Sequence, residues 1–589
     1  MVSMDAVTRR RFLRDAAVAG SGAAVAATVP TAAWAAANRR GKRVAILGGG
    51  MAGLAAAHEV VDRGFQVTVY EPTALGGKAR SIGAPGTGKG GRKDLPGEHG
   101  FRFFPGFYHA VPDTMRRIPF AGQANGVWDN LVPGERFKFY RSGNRPDAAA
   151  AGLFFDPDEL QTPDGIQRVL TELTSGVGVS IEETLYFVNR VLVFLTSSDQ
   201  RREGQFENLS WWDFMGAARR SPAYQRELVA TLTRSLVAAK EKTASTRTIG
   251  RMGEAFINNA AGLGNDGALD RILDLPTNEA WIDPWVAHLK SLGVTFVLGR
   301  AVTGFDVAGG QISGARTIDR LGRRATVDAD WYILAAPVDK AVGVLGRNVR
   351  ALDPSLNGLD QLVVDWMVGI QFFLKTRINL ARGHLTFIDA PWALTALTQA
   401  QFWQDRQFSR DYGDGTVNDC LSVDISDWDA PGILYGKPAK KCTPEQVAKE
   451  VWAQIKMHHT PAAQLPDSIL HSWFLDPGIQ WNSAKGENSN DTPLLVNTAG
   501  SWKNRPKAVT KVPNLFLAGD YLQTNIDLAT MEGANEGGRA AAAGILAASG
   551  SNQAPPQTWK LYQSPDLAGW RDFDAWRYSM GMPNLFDSP

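Results

Sequence analysis

Residues 43–53 read Arg43-Val44-Ala45-Ile46-Leu47-Gly48-Gly49-Gly50-Met51-Ala52-Gly53, and this stretch decides the fold. Arg43–Leu47 has the continuous apolar character of a buried parallel strand. The turn after it carries Gly48, Gly50 and Gly53 in G-x-G-x-x-G spacing. A helical stretch, Leu54 to Arg63, runs on from it and Gly64 ends that helix. Gln66–Tyr70 predicts a second strand, with Glu71 at its tip, 18 residues past Gly53. Gly48 permits the tight turn, Gly50 lets the main chain approach a pyrophosphate, and Gly53 lets helix pack on strand. Ala52 lies at the helix start, where free N–H groups and the positive end of the dipole suit phosphate. A carboxylate at Glu71 can accept ribose hydroxyls and would repel a 2′-phosphate, which disfavours NADP. A lone glycine motif is weak evidence, but this strand–turn–helix–strand–Glu frame specifies a dinucleotide.

The chain around this frame has 589 residues, more than one hydrophobic core supports, so two or three interlocked domains are expected. With 44% hydrophobic and 21% charged residues it has an ordinary globular composition. Two cysteines, Cys420 and Cys442, exclude a disulfide scaffold and any multi-thiolate metal site. They are read as buried thiols, with pairing left open. The net charge of +2 sits wholly in residues 1–37; the remainder balances 58 basic against 58 acidic groups. A balanced body argues against nucleic-acid binding. His458-His459 lacks partners at metal-ligand spacing, and no metal is expected. Gly83–Gly90 nearly fits a phosphate loop, but Gly90 stands where Ser or Thr would hold magnesium, so residues 82–97 are read as a flexible basic loop.

The N-terminus orders a basic head (Arg9-Arg10-Arg11-Phe12-Leu13-Arg14), a short small-residue run (Ala16 to Val29) and Ala33-Trp34-Ala35. That order reads as an export signal, and the paired arginines resemble the twin-arginine type. The expectation is a protein exported to the periplasm or beyond by the twin-arginine machinery. The fourteen residues of the run are too few to span a bilayer.

Three further segments extend the reading. Leu75-Gly76-Gly77-Lys78-Ala79-Arg80-Ser81 follows Glu71 closely. Gly97-Glu98-His99-Gly100-Phe101-Arg102-Phe103-Phe104-Pro105-Gly106-Phe107-Tyr108 combines glycine with aromatics. Near the C-terminus come Asn514–Asp520, then Thr530-Met531-Glu532-Gly533-Ala534 and Gly537-Gly538-Arg539. Leu515–Ala518 predicts a buried strand, Gly519 permits close approach, and Asp520 suits a polyhydroxyl chain such as ribitol. Helix formers run from Met531 to Leu546, with Glu532 in the first turn, where the dipole favours it.

Together these segments resemble the flavin-containing amine oxidase and carotene desaturase superfamily, with FAD as cofactor. The resemblance implies an α/β, two-domain flavoprotein: a discontinuous Rossmann-like FAD domain (38–120, 271–345, 505–550) and an α+β substrate domain (121–270, 346–504). Residues 551–589 are expected to form an arm laid over the body. Gly76, Gly77, Lys78 and Arg80 would meet the pyrophosphate, Gly100 and Phe101 the ring side, and Val302 the adenine. Main-chain groups around Met531, Glu532 and Gly533 would meet the flavin ring. Relatives often show Pro followed by paired glycines where this chain has Pro276-Thr277-Asn278-Glu279-Ala280-Trp281.

The chemistry implied is hydride removal from a C–H bond to the flavin. Amine oxidases of the superfamily generally place an aromatic residue before Met-Glu-Gly; here it is Thr530. Lys78 and the Phe103-Phe104 pair are closer to plant-type carotene desaturases and squalene-modifying relatives. The expectation is desaturation of a small apolar, isoprenoid-like substrate, with Arg102, Tyr521 and Thr530 as catalytic candidates. His99, Asn525, Trp502 and Lys503 are further residues near the expected site. An exported amine or amino-acid oxidase releasing peroxide is the alternative. The apolar run Val191–Leu195 reads as core or as a membrane-touching lip. No motif names the electron acceptor.

Overall fold

Arg43–Leu47 lies at the centre of a five-stranded parallel sheet, ordered 295–298, 66–71, 43–47, 331–334, 515–517. The computed structural model describes residues 42–143, 145, 147–151, 162–173, 178–236, 239–459 and 465–587. The export signal expected at 1–37 lies outside the described residues. Register follows the apolar run: Val44 faces Val67 on one side and Trp331 on the other, and Tyr332 faces Leu515. Val44 to Leu47 and Trp331 to Leu334 are all buried, as strands covered on both faces must be. Three stretches far apart in sequence therefore close one sheet.

Helix Met51–Val61 covers this sheet, beginning three residues earlier than Leu54 because the helix starts inside the glycine turn. It packs against helix Met531–Ser549 through Gly538, where a Cβ would sit 2.4 Å from the Ala52 carbonyl oxygen. The expected meander is present as antiparallel strands Arg300–Ala308, Gln311–Asp319 and Arg324–Val327.

A second, seven-stranded sheet is ordered 470–475, 368–374, 419–425, 394–398, 385–387, 136–140, 148–151. Its pairs are antiparallel except 385–387 with 136–140. Helix Pro444–Met457, closed by a Thr443–Gln446 capping box, packs Trp452 on Phe372 of this sheet. Helix Ile181–Leu195 has the expected bounds, and Leu192 to Leu195 are buried, so the run serves the core and is not a lip. A short sheet pairs Phe104–Pro105 and Leu131–Pro133 with Asp270–Leu273.

Two readings change. The 82–97 loop is not loose: Ser81–Gly83 pairs with Pro96–Glu98, and the Lys89 and Lys93 N–H groups donate to Gly413 and Asp411 carbonyls. The tail is extended only at first, then forms helix Ala568–Ser579. Cys420 and Cys442 are both free and buried. At Pro276–Trp281 the glycines are replaced by a wide turn, Asn278–Ile282, that leads into helix Asp283–Ser291.

Candidate active site

The glycines act first by what they lack. Gly48 has φ +123°, and a Cβ there would meet the Ala335 carbonyl oxygen at 2.4 Å. A Cβ on Gly53 would lie 2.0 Å from the Gly48 oxygen, so helix and turn touch only through hydrogen. Gly50 caps the helix without a side-chain acceptor, leaving its leading N–H groups for an anion. Gly76 N–H donates to the Gly49 carbonyl at 2.9 Å, and Gly77, at φ +56°, lies against Gly50. The two glycine turns thus form one bare surface. Glu71 stands beside it, buried, accepting from Gly49 N–H at 2.8 Å on Oε2 and from the Thr73 N–H and hydroxyl on Oε1. A carboxylate has about four acceptor positions, so capacity for a ribose remains. Val302 is half-buried on the neighbouring meander strand.

Lys78 links this surface to the ring side. Its Nζ donates to the Pro493 carbonyl; burial pushes the amine down, and nearby Asp520 opposes that. Burial pushes the Asp520 carboxyl up, against the pull of Lys78 and Arg505. Arg80 Nη1 donates to the Gly77 carbonyl at 2.9 Å, closing the turn with the side chain expected for the pyrophosphate. Arg102 Nη2 donates to the Lys78 carbonyl at 3.0 Å and its Nε lies 3.9 Å from Glu98. Arg102 is therefore tied into the cofactor shell. Gly100 makes room for Asp424, whose Oδ1 would lie 2.5 Å from a Cβ there. Burial pushes the Asp424 carboxyl up to about 7, against Arg102. His99 Nδ1 lies 3.2 Å from Asp476, and burial pushes its imidazole down.

The C-terminal block closes the site from the other side. Gly519 and Gly537 are in backbone contact, since a Cβ on Gly537 would meet the Gly519 oxygen at 2.5 Å. Thr530 caps helix Met531–Ser549, its hydroxyl accepting from Gly533 N–H at 3.0 Å. Met531 is half-buried beside it. Glu532 has a different task from the one its position predicts. Its buried carboxylate accepts from the N–H groups of His109, Ala110 and Val111 at 2.6–2.8 Å, capping helix Ala110–Arg116. Arg539 holds the same helix through the Ala110 carbonyl and Thr114 hydroxyl, at 3.0 and 2.8 Å.

Other candidates fall elsewhere. Tyr521 is fully buried in the core under the sheet, with its hydroxyl unpaired among the described residues. Lys503 is exposed, and Trp502 lies beneath Arg247, 3.8 Å from its ring centre. Asn525 gives its N–H to Glu536 at 2.6 Å. The capping by Glu532 and the burial of Asp424 have no local sequence signal, because their partners lie hundreds of residues away.

Bare glycine turns, an uncapped helix start, the Glu71 carboxylate and the buried Lys78 and Asp520 side chains fit FAD, which the meander and helix 531–549 would flank. Fold and site define an FAD-dependent α/β oxidoreductase. A model of the family described as flavin containing amine oxidoreductase matches residues 51–546, and the chain belongs to that family. It is 25% identical over 550 residues to a zeta-carotene desaturase of Synechocystis sp., covering 88% of this chain and 99% of that one. Among solved structures it is similar to a putrescine oxidase bound to putrescine (14% identity, 86% of this chain and 99% of that chain, TM-score 0.55). A cyclohexylamine oxidase from Brevibacterium oxydans also aligns (16% identity, 86% and 98%, TM-score 0.52). At these identities the two amine oxidases speak for the fold alone.

Proposed function

We propose that the protein removes hydrogen from a C–H bond of an apolar, isoprenoid-like substrate, in the manner of a desaturase. The observation that carries this reading is the lining beside Phe101–Phe103. Phe103 stacks on Phe256 at 6.2 Å and meets Phe137 edge-on at 6.3 Å, and all of these rings are half-buried. Such a wall repays an apolar chain by roughly 25 cal/mol per Å² removed from water. The near full-length likeness to a carotene desaturase supports the same reading.

FAD, when bound, supplies a two-electron hydride acceptor. The chain's own groups bind and orient. The phenylalanines exclude water and align an apolar chain. Thr530 puts no aromatic wall before helix 531–549; its hydroxyl accepts from Gly533 N–H and donates to the Leu528 carbonyl at 3.3 Å, so it is held in local bonds. Arg102, held on Lys78 and Glu98, fixes the Gly100–Phe103 segment.

The test is anaerobic bleaching of the bound flavin by isoprenoids, primary amines and amino acids in parallel. Bleaching by isoprenoids is expected; bleaching by amines alone overturns the reading in favour of an amine oxidase. Export by residues 1–37 is proposed with it, and Arg10→Lys with Arg11→Lys is expected to strand the protein in the cytoplasm. The exposed Trp576 and Met580 on the C-terminal arm support contact with a membrane surface, which vesicle co-sedimentation measures.

A further inference from the structure

Within the phenylalanine wall stands an imidazole. His384 directly precedes strand Leu385–Phe387, whose parallel pairing with Arg136–Tyr140 sets it beside Phe137. Its ring centre lies 4.6 Å from Phe103, edge-on, 5.1 Å from Phe101 and 5.5 Å from Phe137, stacked. The residue is 6% exposed. On the opposite side Nδ1 lies 2.6 Å from Oδ2 of Asp270, in ion-pair range though off the axis of a hydrogen bond. Asp270 is itself fixed by pairing with Pro105, the strand that continues from Phe101–Phe103. Nε2 has no partner among the described residues.

Another buried histidine in this chain shows what a structural imidazole looks like. His458 uses both nitrogens, Nδ1 on the Gln454 carbonyl at 2.6 Å and Nε2 on Asp389 at 2.8 Å. His384, like His99 with Asp476, instead has a carboxylate behind Nδ1 and a buried Nε2 with no partner among the described residues, the arrangement of an oriented general base. Other charges on the elements around it have partners of their own: Lys138 with Asp147, Arg271 with Asp266, Arg382 with Glu135, and Arg102 with Glu98.

We propose that His384, positioned by Asp270, is the proton acceptor of this active site. This rests on the C–H reading above, in which two hydrogens leave. One would depart with both electrons of its C–H bond as hydride, for which FAD, when bound, would be the two-electron oxidant. The electron pair of the adjacent C–H bond becomes the new C=C bond. Its proton goes to His384 Nε2, giving an imidazolium opposite the Asp270 carboxylate, and later passes to water.

The test uses the flavin-loaded full chain with His384→Gln and Asp270→Asn. Flavin content and spectrum are expected to stay as in the wild type. The limiting rate of anaerobic bleaching by isoprenoid should fall about 100-fold in His384→Gln, which also loses the histidine limb of the pH profile. Asp270→Asn, which keeps the shape and removes the charge, should slow the same step about 10-fold with flavin content unchanged. A readout without turnover is the ¹³C signal of labelled histidine that His384→Gln removes; its chemical shift should change in Asp270→Asn. An unchanged bleaching rate in His384→Gln, or a signal indifferent to Asp270→Asn, overturns the proposal. If His384→Gln fails to take up flavin, the bleaching rate and histidine signal of Asp270→Asn decide. Should amines alone bleach the wild type, the substrate class falls, while the same variants assayed with amine still judge the dyad by the same criteria.

Discussion

The pyrophosphate end and the ring side of the site are built on opposite principles. At the pyrophosphate end, main chain meets main chain where side chains are missing: Gly53 on Gly48, Gly77 on Gly50. These two contacts span at most 27 residues of sequence, while Gly48 also touches the main chain of Ala335 from a distant stretch. At the ring side, side chains reach partners far along the chain, Glu532 to His109 and Asp270 to His384. The first end tolerates no added atom; the second tolerates change in proportion to the bonds removed.

Gly53→Val should have the largest effect. Its branched carbon would occupy the space of the Gly48 carbonyl, and no soluble yellow protein is expected on purification. Glu532→Ala comes next. It strips three helix-end N–H groups of their acceptor, costing about 3 kcal/mol or more, read as a marked fall in thermal midpoint. Glu532→Gln, which keeps an acceptor oxygen, should recover part of it.

Asp424 sharpens the contrast through pH. Its folded carboxyl titrates at about 7, above the unfolded value, so the stability linked to its protonation is full below about pH 4 and lost as pH rises through 7. Asp424→Asn should therefore flatten the fall in thermal midpoint between about pH 4 and 7. Thr530→Ala is the mildest, removing a half-buried cap worth about 1 kcal/mol, read in the same melting experiment.

The same contrast explains what the sequence disclosed. A glycine whose task is to be absent can be read from its spacing, so the Gly48–Gly53 turn, Glu71, the Gly76–Gly77 element and the strands at 295–298, 331–334 and 515–517 were all legible. The export motif concerns residues outside the described chain. A carboxylate's task depends on which N–H or cation faces it. Glu532 therefore read as favouring its own helix, while it serves helix Ala110–Arg116. His384 carried no signal at all, since the phenylalanines and Asp270 that give it meaning arrive from three other stretches. The seven-stranded sheet was hidden for a related reason: its strands at 368–374, 394–398 and 419–425 are buried along their whole length and lack the alternation that marks a half-exposed strand.

The five-stranded sheet has a bearing on how the protein is made. Its last strand, Leu515–Leu517, and the helix that buttresses Met51–Val61 leave the ribosome only after nearly everything else. From the synthesis of Leu334 until that of Leu515, the nascent polypeptide holds an unfinished edge at Trp331–Leu334. Cofactor capture is therefore a late event, and a messenger truncated before codon 515 yields a product that chaperones must shield and proteases remove.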